Sequence, residues 1–441
     1  MNRESLGLTE GISIALGGMI GGGIFAVLGV VAQLTQEAAW FAFALAGVVA
    51  LCAAYSYNTL NELSDGQGGS VTFIQCFVGN STLAGMVGWT LTFGYIGSMG
   101  MYAYAFGSFA VGFQVIPDSL AGYPLRPVVS VLVVAGFVAL NLLGARATGS
   151  TENVLVGVKV AILLAFGVGG LYYGVQTTRL AYGFSALTSF GPLMAAGVSF
   201  VAFQGWQLLF YAQDSFDDPV ETIRKALYVS IFLAISLYII VAITTVSLVP
   251  LSIVNSHPER ALAVAADPFI PNGFVVISLA ALFSTGSAIN ATLFSSGHFV
   301  KGMLSEDLVP DRIGDADADG VPERTVIVLG AIVAAFTAYG SLNAITSFAS
   351  LTFIIVFGAM SYLAFRQRHV DGVSTVVPAV GVVGATGFFW FMLWHLYRTE
   401  PQTFYTVCLL TGAVLVAEML YFKRDALERG VVTFEELRPE R

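Results

Sequence analysis

Charge is what this sequence has least of. Only 11% of its 441 residues are Asp, Glu, Lys or Arg, where a soluble domain carries about 25%. A water-facing globular fold of this length would need far more charge on its surface, and is excluded. Three cysteines, Cys52, Cys76 and Cys408, stand at no paired spacing, which leaves neither a disulfide framework nor a zinc site. The four histidines (His257, His298, His369 and His395) show no ligand spacing, and no Gly-rich phosphate loop ending in Lys-Ser or Lys-Thr is present. No basic patch supports nucleic-acid binding. Asp315-Ala-Asp317-Ala-Asp319-Gly320 opens like a calcium loop, but its twelfth position is Val326 and Pro322 lies inside it. A calcium loop needs a bidentate Glu at that twelfth position. No cofactor or metal is expected, no obligate protein partner is evident, and ATP-driven transport by this chain alone is disfavoured.

What the sequence does have is apolar residues, 56% of the total, gathered in blocks of about 20, the length a helix needs to cross ~30 Å of hydrocarbon. The runs fall at 11–33, 38–62, 83–115, 127–145, 152–174, 190–213, 224–249, 272–302, 325–340, 343–365, 374–397 and 402–422. They predict an all-α integral membrane protein with twelve transmembrane helices. Runs 83–115 and 272–302 exceed the required length, which implies tilt or extension beyond the bilayer. The first run is longer than a signal-peptide core and lacks a cleavage pattern, so it reads as a retained helix. With the N-terminus inside, only Arg126, Arg179, Arg260 and Arg398 fall in outer loops, and Lys159 falls within a run; the other fourteen basic residues are cytoplasmic. The positive-inside rule then places both termini, residues 1–10 and the tail 423–441, on the cytoplasmic side of a cell membrane.

Residues 11–174 and 190–366 hold five runs each. An odd number of spans makes the second unit enter from the opposite side, so homologous units would be inverted repeats, a common plan for secondary transporters. The two runs within 374–422 lie outside the repeat.

The first run contains Gly17-Gly18-Met19-Ile20-Gly21-Gly22-Gly23-Ile24-Phe25. Each glycine disfavours helix by ~0.8–1 kcal/mol relative to Ala, so the helix is expected to break here. Freed N–H groups at the start of the outer half-helix would suit a carboxylate. The alternative is close helix packing, since Gly17/Gly21 and Gly18/Gly22 have the small-xxx-small spacing. The sixth run supplies a matching interruption at Phe203-Gln204-Gly205-Trp206-Gln207. Two amides and an indole N–H at mid-span are costly to bury without partners and suit a polar cavity, the alternative being hydrogen bonds between helices. Interruptions in the first helix of both halves point to a transporter's binding site.

Lys159 is the one basic residue in the middle of a run. A lysine at a helix centre costs ~2.5–3.5 kcal/mol on insertion scales, so it has a partner or a function. It reads as a proton-coupling group or as a fixed structural cation. No acid is placed to recognise a cationic side chain, since Glu37, Glu62, Asp65 and Asp214 all sit near run ends; the substrate is expected to be neutral. Candidates for side-chain selectivity are Tyr95, Ser98, Trp206 and Ser347.

Gly17 to Phe25 resembles the first-helix signature of the amino acid–polyamine–organocation transporter superfamily. Phe203-Gln204-Gly205 through Asp217-Asp218-Pro219 resembles its sixth helix, with Arg224-Lys225 as the following basic cluster. Glu62-Leu63, Gly68-Gly69 and Gly88-Trp89 resemble its loop and third-helix start. The likeness runs from about residue 5 to 365. Three departures from the family pattern stand out: Arg224 replaces a proline, the residues that often follow the Gly-Gly pair are absent from 70–80, and His298 stands where an Arg is frequent. The resemblance implies five plus five inverted helices with helices one and six broken. It implies a substrate carboxylate on Gly21, Gly22 and Gly23, beside Met19 and Ile20. The ammonium would meet the carbonyls of Met19 and of Val201–Gln204, Phe203 among them, near Gly205, with Trp206 and Gln207 at the side chain. Family members with this lysine include proton-coupled carriers and exchangers, and its expected neighbours are carbonyls of the first helix and Ser284, Thr285 and Ser287. The readings left open are a proton-coupled symporter of amino acids or amines, an exchanger, and a sodium-driven symporter or channel for another solute. An intramembrane enzyme has no catalytic set within the runs to support it.

Overall fold

A computed structural model describes residues 6–64, 68–112, 116–143, 149–314 and 322–422; the tail assigned to 423–441 and the acidic loop at Asp315 lie outside the described residues. The chain is mostly helical. In order come α1 Leu8–Thr35, α2 Ala39–Leu63, α3 Ser70–Val78, α4 Ser81–Gly112, α5 Arg126–Leu142, α6 Gly149–Gln176, α7 Gly191–Ser199, α8 Leu208–Tyr211, α9 Pro219–Leu248, α10 Leu251–Ser256, α11 Ala261–Ala266, α12 Gly273–Ser305, α13 Glu323–Tyr339, α14 Leu342–Arg366, α15 Val376–Thr399 and α16 Pro401–Phe422. Among the described residues, eight helical stretches are long and apolar enough to cross a membrane, the first of them joining α1 and α2. This is a multi-pass membrane protein.

α1 and α2 are buried on nearly every side, whereas α15 and α16 turn apolar residues such as Val383 and Leu409 outward. Helices apolar all round belong in a large core or in lipid, and both situations occur here. α4 and α12 hold 32 and 33 residues, longer than hydrocarbon thickness requires at ~1.5 Å per residue. α4 packs on α12 and α14, and α1 on α9, α12 and α7. At the start of α1, Leu6 pairs with Phe216 in a short parallel bridge, and the Leu6 N–H donates to the Ser215 carbonyl at 2.8 Å.

The expected break in the first helix is not found: α1 runs unbroken from Leu8 to Thr35 through all five glycines. The reason is packing. A Cβ on Gly18 would lie 2.7 Å from the Gly205 Cα, and one on Gly23 would lie 2.8 Å from the Ala202 Cα. On Gly21 it would collide with the Ala288 Cβ, and on Gly22 with the Tyr102 ring. Three neighbouring segments press on the helix where it has no side chains, and their contacts outweigh glycine's poor helix propensity. The small-xxx-small reading holds in this conformation.

The sixth run breaks as expected. α7 ends at Ser199, a single 3-10 turn covers Phe200–Phe203, Gln204 is extended, and α8 restarts at Leu208. Gly205 sits at φ +129, a backbone region that side-chain-bearing residues rarely adopt.

Candidate functional site

The break in the sixth run is held open by hydroxyls from other helices. On α14, Ser350 accepts from the Val201 N–H at 3.2 Å and donates to the Val198 carbonyl at 2.7 Å. On α9, the Tyr238 hydroxyl lies 2.7 Å from the Met19 carbonyl and 3.0 Å from the Ala202 carbonyl. It joins the middle of α1 to the broken segment. On α12, Ser284 donates to the Ile20 carbonyl at 3.0 Å. Unsatisfied backbone groups inside a membrane protein cost several kcal/mol; Ser350 and Tyr238 answer part of that need at the break, while Ser284 braces α1.

The polar side chains at the break meet one another. The Gln204 amide donates to the Tyr102 hydroxyl, and the Gln207 amide reaches the Gln204 oxygen at 3.3 Å and the Tyr95 hydroxyl at 3.4 Å. The Gln207 oxygen accepts from the Gly205 N–H at 2.7 Å, fixing the turn. Trp206 is fully buried between Tyr57 and Phe357, with ring centroids 5.1 and 4.7 Å away. Its indole N–H has no hydrogen-bond partner among the described residues, so a buried donor is left for something else to satisfy. Phe203 turns away from this group onto Tyr238, at 5.2 Å.

The predicted carboxylate turn has a different surrounding. In the unbroken α1, the N–H groups of Gly21, Gly22 and Gly23 belong to the helix's own hydrogen bonds, and the Tyr102 ring covers Gly22. Met19 and Ile20 contribute the expected carbonyls, but hydroxyls already occupy them.

Lys159 meets one of its expected neighbours, Ser287. It is 4% exposed, and its ammonium donates to the Ser287 hydroxyl at 2.7 Å. Ser284 links instead to α1, and Thr285 folds back on the carbonyls of Ala281 and Leu282 in its own helix. α6 and α12 therefore meet through a charged hydrogen bond beside the α12–α1 contact.

Two cavities flank this centre. One of about 500 Å³ is lined by residues including Gly69, Tyr211, Gln213, His298 and Glu306, at the ends expected to face the cytoplasm. The other, of about 440 Å³, has Tyr104, Arg126, Glu259, Arg260 and Asn343 in its wall, at the opposite ends. Between them lie the buried residues around Tyr102 and Trp206.

A helical membrane chain with a broken, hydroxyl-braced helix between two cavities has the layout of a carrier, and comparison with known proteins agrees. The family model for amino acid permeases matches residues 6–414. The chain belongs to that family. This permease is thus a transporter of the amino acid–polyamine–organocation superfamily and not an enzyme. It is 31% identical to the inner membrane transport protein YbaT of Escherichia coli, over 86% of this chain and 88% of that protein. It is 23% identical to the methylthioribose transporter of Bacillus subtilis, over 94% of this chain and 92% of that one. Among solved structures it resembles a manganese transporter of Eremococcus coleocola, with a TM-score of 0.60 at 13% identity, covering 94% of this chain and 92% of that one. That likeness concerns the fold alone.

Sequence reading passes over Tyr238, Tyr102 and Ser350, because each acts across helices and none stands in a motif. The available signal is a hydroxyl near mid-run. It also passes over Glu418, which is fully buried in α16 with neither carboxylate oxygen hydrogen-bonded among the described residues. A buried acid does exist, then, although on a helix outside the group around the break. Tyr238→Phe leaves two buried carbonyls without that hydroxyl, a change worth about 1–3 kcal/mol. Detergent unfolding is expected to show the protein slightly less stable but folded, with a lowered KM for uptake because the two carbonyls are freed for the substrate. An unchanged KM would remove Tyr238 from the site.

Proposed function

We propose that this permease is a secondary active carrier of small amino acids, with neutral side chains favoured, that moves them together with protons through Lys159. The proposal includes twelve membrane spans, with 11–174 and 190–366 as inverted five-helix units and 374–422 outside them. Both termini lie on the cytoplasmic side of a cell membrane.

The observation that carries this reading is the interruption at Phe203–Gln207, with an unpartnered indole donor and two amides on a segment whose Ala202 and Gly205 pack on glycines of α1. None of Tyr95, Tyr102, Gln204, Trp206 and Gln207 carries a charge in its ordinary form, which favours a substrate with a neutral side chain. Substrate entry displaces the Tyr102 ring from Gly22. The carboxylate then reaches the N–H groups of Gly21–Gly23 as α1 opens there, at a point where five glycines make opening cheap. The ammonium competes with the Tyr238 hydroxyl for the carbonyls of Met19 and Ala202. The two flanking cavities support alternating access around this centre.

A panel of amino acids and amines tested by thermal shift on the purified protein checks the substrate class. Neutral amino acids are expected to stabilise it, by about 2.7 kcal/mol at a hundredfold excess over Kd. Gly22→Leu is expected to lose that response, because the added side chain takes the space the carboxylate needs; since it also meets the Tyr102 ring, its stability in detergent is measured alongside uptake. A panel in which no amino acid stabilises the protein overturns the substrate class. A folded Gly22→Leu protein with normal uptake overturns the carboxylate assignment.

A further inference from the structure

Away from the transport centre, a cavity of about 600 Å³ lies where α15 and α16 meet the start of α7. Its wall includes Phe190, Met194, Trp390, Phe391, Trp394 and Tyr397. Phe190 and Phe391 stack at 5.8 Å across two of these elements, while Phe190, Trp390, Trp394 and Tyr397 are exposed on the surface that faces lipid. Water needs two to four polar partners to be held in such a space, and this wall offers almost none. In a bilayer its natural filling is hydrocarbon.

The mouth of the cavity carries charge. Arg398, in the last turn of α15, places its guanidinium 4.7 Å from the ring centroid of Trp394, a wall residue. Arg398 has no carboxylate within salt-bridge distance among the described residues. The acid beside it in sequence, Glu400, accepts hydrogen bonds from Asn343 and Thr403 instead. A cation without an ionic partner, stacked on the rim of an apolar cavity at a helix end, matches the two parts of a phospholipid. Trp and Tyr are the side chains that favour this membrane depth.

We propose that this cavity is a phospholipid site, with one acyl chain between α7 and the α15–α16 pair and an anionic headgroup on Arg398. A lipid chain fits better than a second protein copy because the feature is a concavity lined by rings, with its one cation at the rim. Occupied, it ties α15 and α16 to α7.

Native mass spectrometry of the protein, released from mild detergent after addition of phosphatidylglycerol or phosphatidylcholine, tests the site. The unmutated protein is expected to retain one phospholipid, with about five-fold preference for phosphatidylglycerol, the scale of one basic residue at an anionic lipid surface. Arg398→Gln should erase the headgroup preference, and Met194→Trp, which fills the cavity, should reduce retention several-fold while leaving basal uptake unchanged. Three results would overturn the proposal: no retained lipid, equal retention by both variants and the unmutated protein, or a dimer whose formation Met194→Trp abolishes. If Met194→Trp fails to fold, the headgroup preference of Arg398→Gln still decides.

Discussion

Lys159→Ala is expected to abolish pH-gradient-driven accumulation while substrate binding stays measurable. The ammonium is buried and donates to Ser287 on α12, the helix whose Ser284 holds the Ile20 carbonyl of α1. A proton gained or lost at Lys159 therefore acts at the junction of α6, α12 and α1, next to the glycine face. Each unit of pKa difference between two conformations couples ~1.4 kcal/mol to the conformational equilibrium. That is tenfold in their ratio, a large effect when the minor state is populated at about 0.1–10%. A fixed structural cation predicts otherwise: Lys159→Ala would lose stability and binding together, and the unmutated protein would ignore a pH gradient. Measuring binding and gradient-driven uptake on the same preparation separates the two.

Gly205→Ala is expected to be the most destabilising single-methyl change near the site, costing roughly 3–5 kcal/mol. Gly205 has φ +129, and a Cβ there would lie 2.7 Å from the Cα and C of Gly18 and 2.8 Å from the Met19 N. Those are backbone atoms of α1, which cannot swing aside as a side chain can. Strain at the residue and collision with its neighbour thus add together. Gly157→Ala is the control: Gly157 lies in α6, its Cβ would meet nothing within 4 Å, and alanine there gains ~1 kcal/mol of helix propensity. Detergent unfolding of the two variants should move in opposite directions. Equal stability would mean that α1 and the broken segment do not approach as closely as described.

Hydropathy locates the helices well because membrane length imposes itself on sequence. Run 11–33 corresponds to Leu8–Thr35 and run 272–302 to Gly273–Ser305. Hydropathy passes over α3, α10 and α11, which are too short to register as spans. The Gln-Gly-Trp-Gln break is legible because a continuous helix would leave two amides and an indole N–H facing hydrocarbon or packed apolar side chains. The glycine run misleads about the backbone, since propensity describes an isolated helix and cannot register Tyr102, Ala202, Gly205 and Ala288 pressing on it. Lys159 is legible because a buried cation must find an oxygen to accept its hydrogen bond, whereas Ser287 as that oxygen is expected only through the family resemblance. Tyr238 is not legible, because its role depends on where α9 passes between α1 and the break, which only the packed fold determines.

The most direct test of proton-coupled amino acid carriage is uptake of a neutral amino acid by proteoliposomes at constant membrane potential, with and without an imposed pH gradient. The proposed function predicts saturable uptake that rises above the equilibrium level only when the gradient is present and collapses when a protonophore dissipates it. Saturable uptake that is the same with and without the gradient would contradict proton coupling through Lys159, and no uptake of any amino acid would contradict the substrate class itself.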